Sequence, residues 1–209
     1  MMPKRWVVFD VESIGLHGEA FAVGAVVMDD DGFVRAQYLY ACDPDEATGG
    51  DEGRAWVAEH CPFIACNCGS PQGVRNQFWR AWLAWKEDGA VLVADCAWPV
   101  EARFLAACVD DDPDTRSWQG PYPLHELASF MVAAGMDPHA TYDRLLDEPQ
   151  HDPLGDAKQS ARLLMTALKK LRNRNTEVTA AVTEGTVTSI NVYASGSGYV
   201  TPAPGPPHV

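Results

Sequence analysis

The feature that most constrains the fold is a short apolar run near the N-terminus that ends in two acidic residues. The run Trp6-Val7-Val8-Phe9 leads into Asp10-Val11-Glu12, and Ser13 and nearby glycines follow. This pattern predicts a buried strand that ends in a turn. Because side chains alternate along a strand, Asp10 and Glu12 point to the same side. Paired carboxylates suit Mg²⁺ or Mn²⁺, although an isolated Asp-x-Glu is more often a solvated strand end.

A third acidic residue follows a second apolar run. Asp95 comes directly after Val91-Leu92-Val93-Ala94, and the segment from Trp98 to Ala107 predicts a helix with Pro99 near its start. Asp95 is therefore expected at the carboxyl end of a strand, where open α/β sheets bind ligands. The alternative is that Asp95 caps the helix that follows.

The fourth segment combines a histidine with another acid. His151 lies in a predicted loop, and Asp156 lies in the first turn of a helix predicted to run to Leu168. A carboxylate in that turn can bind metal, while a histidine can take a proton from water near neutral pH. Alternatively, Asp152 and Asp156 are acids favoured by the helix dipole, and His151 is a surface residue.

These residues together resemble the motifs of the DEDD 3′-to-5′ exonucleases with a catalytic histidine, also called DnaQ-like. The three motifs of that family are Asp-x-Glu, an Asp at a strand end and His-x4-Asp, and they are matched here by Asp10 with Glu12, Asp95, and His151 with Asp156. The resemblance covers about residues 5 to 172. It departs from the family where Ser13-Ile14 replaces the common threonine pair and where no Asn or aromatic residue precedes Asp95.

The resemblance implies an RNase H-like fold, a mixed sheet flanked by helices, with two Mg²⁺ or Mn²⁺ ions between the carboxylates. It implies that Asp10 bridges both ions, that Glu12 and Asp156 complete one site, and that Asp95 contributes directly or through water. The ions would lie ~3.5 to 4 Å apart, one activating water and one stabilising the leaving 3′ oxygen. His151 would deprotonate the water, and the product would be a nucleoside 5′-monophosphate.

Length and composition predict a single globular domain with a small appendage. The chain has 209 residues, of which 46% are hydrophobic, so one domain can bury a sizeable core. We predict an exonuclease domain at residues 1–174 and a β segment or tail at residues 175–209. No stretch approaches the ~20 apolar residues of a membrane span, and the N-terminus does not fit a signal peptide. The expected location is the cytoplasm.

The net charge of −13 constrains the substrate. Residues 1–155 carry 26 acids against 10 bases, whereas residues 156–174 carry one acid against six bases, Lys158, Arg162, Lys169, Lys170, Arg172 and Arg174. Affinity for long polynucleotides depends on many Lys and Arg contacts. We therefore expect binding to single-stranded or short RNA or DNA 3′ ends, with RNA slightly preferred. The basic run is either a short electrostatic track or an ordinary solvated helix face.

Six cysteines raise the question of a metal site or disulfides. Cys61, Cys66 and Cys68 lie near His60, but the two Cys-x2-Cys pairs of ribbon-type zinc sites are missing. Free thiols are expected in a reducing compartment, with Cys96 and Cys108 in the core.

The remaining elements are less specific for function. A strand pair is predicted at residues 20–28 and 33–40, then an acidic, Gly-rich loop at 43–53 and a helix at 71–87. In that helix, Phe78, Trp82 and Trp85 form one apolar stripe that favours core packing over base stacking. A further helix is predicted at 124–134, with His125 in a structural role.

Beyond Asn175 the composition changes to Thr, Val, Ser, Gly and Pro. Residues 185–193 alternate like a strand, and residues 196–202 predict a Gly-rich turn and a second short strand. This segment resembles short β repeats of bacteriophage virion proteins. It could pair with a sheet edge or mediate contact with a partner protein or a second copy. The alternative function is accordingly a non-catalytic interaction protein that keeps an RNase H-like scaffold.

Overall fold

The computed structural model describes residues 5–175, 178–183 and 186–192. Internal contacts divide the chain into an N-terminal unit that ends at Leu168 and a C-terminal unit that begins at Lys169. The domain boundary expected after residue 174 remains a prediction.

A five-stranded mixed sheet forms the centre of the N-terminal unit. Its strands are β1 (Arg5–Ser13), β2 (Ala20–Asp29), β3 (Val34–Ala41), β4 (Ala90–Ala94) and β5 (His125–Glu126). Their order is β3-β2-β1-β4-β5. The β1–β2 and β2–β3 pairs are antiparallel, whereas the β1–β4 and β4–β5 pairs are parallel. The predicted mixed sheet is confirmed, and β1 lies at its centre.

Helices pack against both faces of this sheet. They are α1 (Asp51–His60), α2 (Pro71–Glu87), α3 (Ala102–Asp110), α4 (Pro113–Arg116), α5 (Leu127–Ala133) and α6 (Pro153–Asn175). A short 3₁₀ turn at Pro44–Glu46 and a wide π-type turn at Ala97–Glu101 complete the unit. In the described part of the chain, no helix has the length and apolarity needed to cross a membrane.

The alternating side chains of β1 supply two apolar layers. Val7 and Phe9 belong to the cluster that α2 covers, whereas Trp6 and Val8 belong to the cluster that α6 covers. The α2 stripe is fully in the core, and the rings of Phe9 and Phe78 lie 5.4 Å apart. The prediction that this stripe packs in the core is confirmed.

The structure corrects two predicted helices. The helix expected from Trp98 begins only at Ala102, because Trp98 has extended backbone angles of φ −125° and ψ 134°. The helix expected from residue 124 begins only at Leu127, because His125 and Glu126 pair with β4 instead. Pairing with a strand distant in sequence overrides the local pattern there.

Two further expectations were wrong. The segment predicted as a loop at residues 43–53 contains a 3₁₀ turn and the first residues of α1, which was not predicted. Only Val57 of α1 is buried, so the helix lacks a clear apolar stripe. Cys96 is exposed rather than in the core, while Cys108 is buried as expected.

The C-terminal unit contains a two-stranded antiparallel sheet. Its strands are β6 (Val178–Thr183) and β7 (Thr186–Val192). The strand predicted at residues 185–193 is confirmed over its described part, residues 186–192. The turn and strand predicted at residues 196–202 lie outside the described residues.

Candidate active site

The predicted acidic residues lie close together, near the carboxyl ends of β1 and β4 and at the start of α6. Asp10 and Glu12 are alternate residues of β1, and Asp95 directly follows β4, where its backbone N–H donates to the carbonyl of Phe9 at 3.1 Å. Asp156 lies in the first turn of α6. Two central strands and one helix therefore direct four acids toward a common region.

A glycine in β2 allows α6 to approach the sheet at this point. Gly24 pairs with Asp10, and a Cβ atom at position 24 would collide with the carbonyl of Pro153 and the backbone N of Leu154. Only glycine permits such close approach of the helix start. The register that places Gly24 beside Asp10 therefore also brings Asp156 beside the acids of β1.

Three of the predicted residues form a tight group. Potential ligand atoms of Glu12, His151 and Asp156 all lie within 4.8 Å of one another. The resemblance had implied that Asp10, rather than His151, shares a metal with Glu12 and Asp156. Asp10 and Asp95 lie outside this group, although their charges still act on its surroundings.

The loop before α6 holds His151 in an unusual conformation. His151 has a φ of 58°, and its backbone N–H donates to Asp156 Oδ2 at 3.0 Å. A non-glycine residue in this region costs about 1 kcal/mol or more and signals a local constraint. Asp152 Oδ1 accepts from the backbone N–H of Gly155 at 2.7 Å, so Asp152, and not Asp156, caps the helix.

Asp95 is held by α6 rather than by the turn that follows it. Its Oδ1 accepts a short hydrogen bond from the hydroxyl of Ser160, which is itself buried. The turn after β4 is preceded by Cys96, with no side-chain hydrogen bond at its cap. The alternative that Asp95 caps the following helix is therefore wrong.

Burial makes these acids resist ionisation. Asp10 is only 8% exposed, and burial together with the charges of Asp95 and Glu101 raises its pKa well above the usual range. Burial, reinforced by Asp156, raises the pKa of Glu12 to about 8. Burial also raises the pKa values of Asp95 and Asp156. A cation at the site would relieve both the desolvation and the repulsion.

A fifth acid, Glu101, was missed by the sequence interpretation. It is 4% exposed at the end of the π-type turn, and burial raises its pKa to about 8. A backbone N–H from Val11 donates to its carboxylate. The available signal was a single acid within an apolar segment predicted as helix.

An aromatic wall contacts His151, and it was missed because α1 was not predicted. Trp56 stacks on His60 with ring centroids 4.8 Å apart, and the edge of His151 meets Trp56 at 4.9 Å. Cys61, just after α1, donates its thiol to Glu12 Oε2 at 3.8 Å. Burial raises the pKa of this thiol to about 12, so Cys61 remains neutral.

Two cavities adjoin the acids. One of about 750 Å³ is lined by Glu12, Trp56, the turn at residues 13–18 and the glycine-rich segment at residues 49–53. Another of about 570 Å³ is lined by Asp95, Arg144 and Ser160 among others. Each cavity exceeds the volume of a water molecule many times and opens to solvent, so each can admit part of a ligand.

Two residues of the predicted basic track form ion pairs with acids of the same chain. Lys158 Nζ lies 3.0 Å from Asp147 Oδ2, and Arg162 Nη2 lies 2.7 Å from Glu148 Oε2. Lys169 and Lys170 are exposed. The interpretation of the whole run as an electrostatic track is therefore wrong for Lys158 and Arg162.

The chemistry of the site fits divalent cations. Asp10 Oδ2 is buried and has no hydrogen-bond partner among the described residues, so it keeps its lone pairs for another ligand. Buried polar atoms are rarely left unpaired. Carboxylate oxygens are the donors that suit Mg²⁺ or Mn²⁺.

Comparison with known proteins identifies the fold. No protein-family model and no curated protein matches the sequence. Among solved structures, the zinc-bound complex of E. coli exonuclease I with single-stranded DNA has a TM-score of 0.55 and 15% identity, covering 82% of this chain and 41% of that one. A 3′-exonuclease that recognises the 3′ end of the histone mRNA stem-loop has a TM-score of 0.50 and 15% identity, covering 92% of this chain and 72% of that one.

A third similar structure is exonuclease I from Methylocaldum szegediense, with a TM-score of 0.50 and 13% identity, covering 80% of this chain and 40% of that one. The chain thus spans about two fifths of the length of these exonuclease I structures. Such low identities show a shared fold. The predicted fold, a mixed sheet flanked by helices, is confirmed and is shared with these exonuclease structures.

Proposed function

We propose that this protein is a metal-dependent 3′-to-5′ exonuclease that releases nucleoside 5′-monophosphates from nucleic acid. The observation that carries the proposal is the convergence of Asp10, Glu12, Asp95 and Asp156 near the carboxyl ends of β1 and β4, where Asp10 Oδ2 has no hydrogen-bond partner among the described residues. So many buried acids destabilise a fold unless cations bind them. The shared fold of the exonuclease structures supports the same reaction class.

The carboxylates of Asp10, Glu12, Asp95 and Asp156 would hold two Mg²⁺ or Mn²⁺ ions. Bound ions would activate water and stabilise the charge that develops on the phosphate and on the leaving oxygen. Glu101 is close enough to influence Asp10 electrostatically. Its contact with the backbone of β1 supports a role in positioning that strand rather than in binding metal.

We assign His151 as the residue that takes a proton from the attacking water. Its ring lies within reach of Glu12 and Asp156 and rests against Trp56, so its position is restricted on two sides. An imidazole can accept a proton near neutral pH. The backbone hydrogen bond from His151 to Asp156 couples the position of this base to the metal-binding carboxylate.

The proposed substrate is the 3′ end of a single-stranded or short nucleic acid. The cavity beside Glu12 is lined by several glycines and by Trp56, whose ring can stack on a base of a single strand. Bound structures among the neighbours contain single-stranded DNA and a histone mRNA stem-loop. The acidic surface supports short rather than long substrates. We propose a slight preference for RNA.

The direct test is digestion of 5′-labelled single-stranded RNA and DNA of one sequence with Mg²⁺ or Mn²⁺. The expected result is a ladder that shortens from the 3′ end, with nucleoside 5′-monophosphates as products. The matched control is Asp88→Asn, which removes an exposed acid paired with Arg5. If neither metal supports cleavage, the non-catalytic scaffold would be the better account.

We also propose that residues 175–209 form a separate segment that contacts a partner protein or a second copy. Support comes from the β6–β7 sheet, because a two-stranded sheet is marginal alone and its edges can pair further. Deleting residues 176–209 should preserve hydrolysis but change the mass measured by light scattering. Loss of activity with unchanged mass would contradict this.

A further inference from the structure

Arg144 places a guanidinium against the candidate metal site. It lies between α5 and α6, and its Nη2 is 2.5 Å from Asp156 Oδ1. The Arg144 side chain is 29% exposed and that of Asp156 is 11% exposed. Within the described residues, this is the one Lys or Arg ion pair made by the four predicted carboxylates. No sequence pattern pointed to Arg144.

The segment that carries Arg144 is fastened to α6. Glu148 accepts hydrogen bonds from Arg162 Nη2 at 2.7 Å and from the backbone N–H of Leu145 at 2.9 Å. Lys158 pairs with Asp147, and Gln159 Nε2 donates to the carbonyl of Tyr142 at 3.0 Å. Arg144 Nη1 itself donates to the carbonyl of Glu148 at 3.2 Å. Side chains of α6 therefore hold the segment that carries Arg144, while the guanidinium itself contacts the carbonyl of Glu148 and the carboxylate of Asp156.

The two oxygens of Asp156 face different groups. Oδ2 accepts a hydrogen bond from the backbone N–H of His151, whereas Oδ1 forms the ion pair with Arg144. A divalent ion at Oδ1 would face a positive charge only a few ångströms away. Because like charges repel strongly at that range, Arg144 and the ion cannot both occupy this oxygen closely.

Arg144 also faces space that a substrate can enter. It lines the cavity of about 570 Å³ that reaches Asp95, together with Tyr142 and Gln159. A guanidinium presents a planar fork of N–H donors that matches phosphate oxygens. Because Arg144 already lines this cavity and is partly exposed, its guanidinium has room for a phosphate beside it.

We propose that Arg144 is an exchangeable counter-ion of Asp156, which a divalent cation displaces and which then binds a backbone phosphate of single-stranded nucleic acid. This rests on the proposed function. Arg144 is thus a substrate-binding residue that also weakens metal binding in the absence of substrate. Replacing Arg144 should therefore strengthen metal binding and weaken nucleic-acid binding. Loss of structure would weaken both.

The test compares Arg144→Gln in the full chain with Arg35→Gln, which removes the same charge from exposed Arg35 of β3, the ion-pair partner of Asp29 in β2. Mn²⁺ binding is measured by calorimetry, and binding of a single-stranded 10-mer is measured in Ca²⁺. Arg144→Gln should bind Mn²⁺ roughly five- to tenfold more tightly and the 10-mer roughly tenfold more weakly. Arg35→Gln should match wild type in both measurements.

Unchanged or weaker Mn²⁺ binding by folded Arg144→Gln overturns the exchange. If Arg144→Gln does not fold, Arg144→Lys tests phosphate binding, because it keeps the positive charge but loses the planar guanidinium. It should bind Mn²⁺ like wild type and the 10-mer several-fold more weakly. Wild-type affinity of Arg144→Lys for the 10-mer overturns phosphate binding. If the wild-type protein binds no Mn²⁺, the proposed function is also wrong. If the wild-type protein binds Mn²⁺ and Arg144→Gln binds it equally well, only the inference about Arg144 is wrong.

Discussion

Strand β1 has an apolar half, Trp6–Phe9, and a half that carries Asp10 and Glu12, and both halves are buried. In the first half, burial of Val7 and Phe9 against α2 stabilises the fold. In the second half, burial raises the pKa values of two carboxylates, so it costs stability. One continuous strand thus combines a region that stabilises the fold with a region whose buried carboxylates cost stability unless a cation binds them.

The largest expected effect comes from a substitution in the acidic half of β1, which should abolish activity without loss of stability. Asp10→Asn should lower hydrolysis by roughly 10³-fold or more, because a carboxylate proposed to hold the ions is lost. The same change should leave the fold intact and raise the melting temperature without metal, because the folded chain no longer buries a carboxyl group that ionises readily in the unfolded chain. Near wild-type hydrolysis by this variant would show that the metal assignment is wrong.

Replacement of the proposed base should reduce rate without removing metal. His151→Ala should lower hydrolysis by ~10² to 10⁴-fold while Mn²⁺ binding is preserved. Added imidazole should restore part of the rate, since the cavity beside Trp56 would accept it. Loss of Mn²⁺ binding in this variant would instead make His151 a ligand, as its place in the tight group with Glu12 and Asp156 allows.

Substitutions around the apolar half of β1 should instead lower stability and leave the hydrolysis rate unchanged. Phe78→Ala removes a fully buried ring that packs on Phe9, and should lower the free energy of unfolding by about 3–5 kcal/mol. Folded molecules of this variant should keep their hydrolysis rate. Phe33→Ala, at a ring that is 66% exposed, should change stability little. Equal losses in chemical denaturation for both variants would contradict the assignment of the core.

A smaller effect concerns pH. The pKa values of Glu12 and Glu101 rise from 4.5 to about 8 on folding, so between these limits the folded chain keeps protons that the unfolded chain releases. Stability without metal should therefore fall as pH rises from 4.5 to 8, by up to about 5 kcal/mol for each of the two groups. Denaturation with and without Mn²⁺ checks this, since bound metal should remove most of the slope. A metal-free stability that rises over this range would contradict it.

Local patterns predicted the elements that carry the acids. Alternation in β1 places Asp10 and Glu12 on one side, and the apolar stripe of α2 gives its bounds as residues 71–87. Both signals lie within a few neighbouring residues and reflect burial directly. The close approach of α6 at Gly24 depends on sheet register, which a single strand does not reveal.

The remaining parts of the site depend on tertiary placement. Trp56 belongs to a helix with one buried residue, Glu101 to a segment whose helix starts late, and Arg144 to an irregular segment. None has a local pattern that marks it as part of a site. The roles assigned to Asp10, Glu12, Asp95, His151 and Asp156 themselves stay predictions until metal and substrate binding are measured.

The most direct measurement is the anomalous scattering of crystals soaked in millimolar Mn²⁺. We expect two peaks among the carboxylates of Asp10, Glu12, Asp95 and Asp156, with Asp10 contacting both ions. The same soak of Asp10→Asn should lose at least one peak. A wild-type crystal with no ion among these carboxylates would contradict a two-metal site and favour a scaffold that does not cleave nucleic acid.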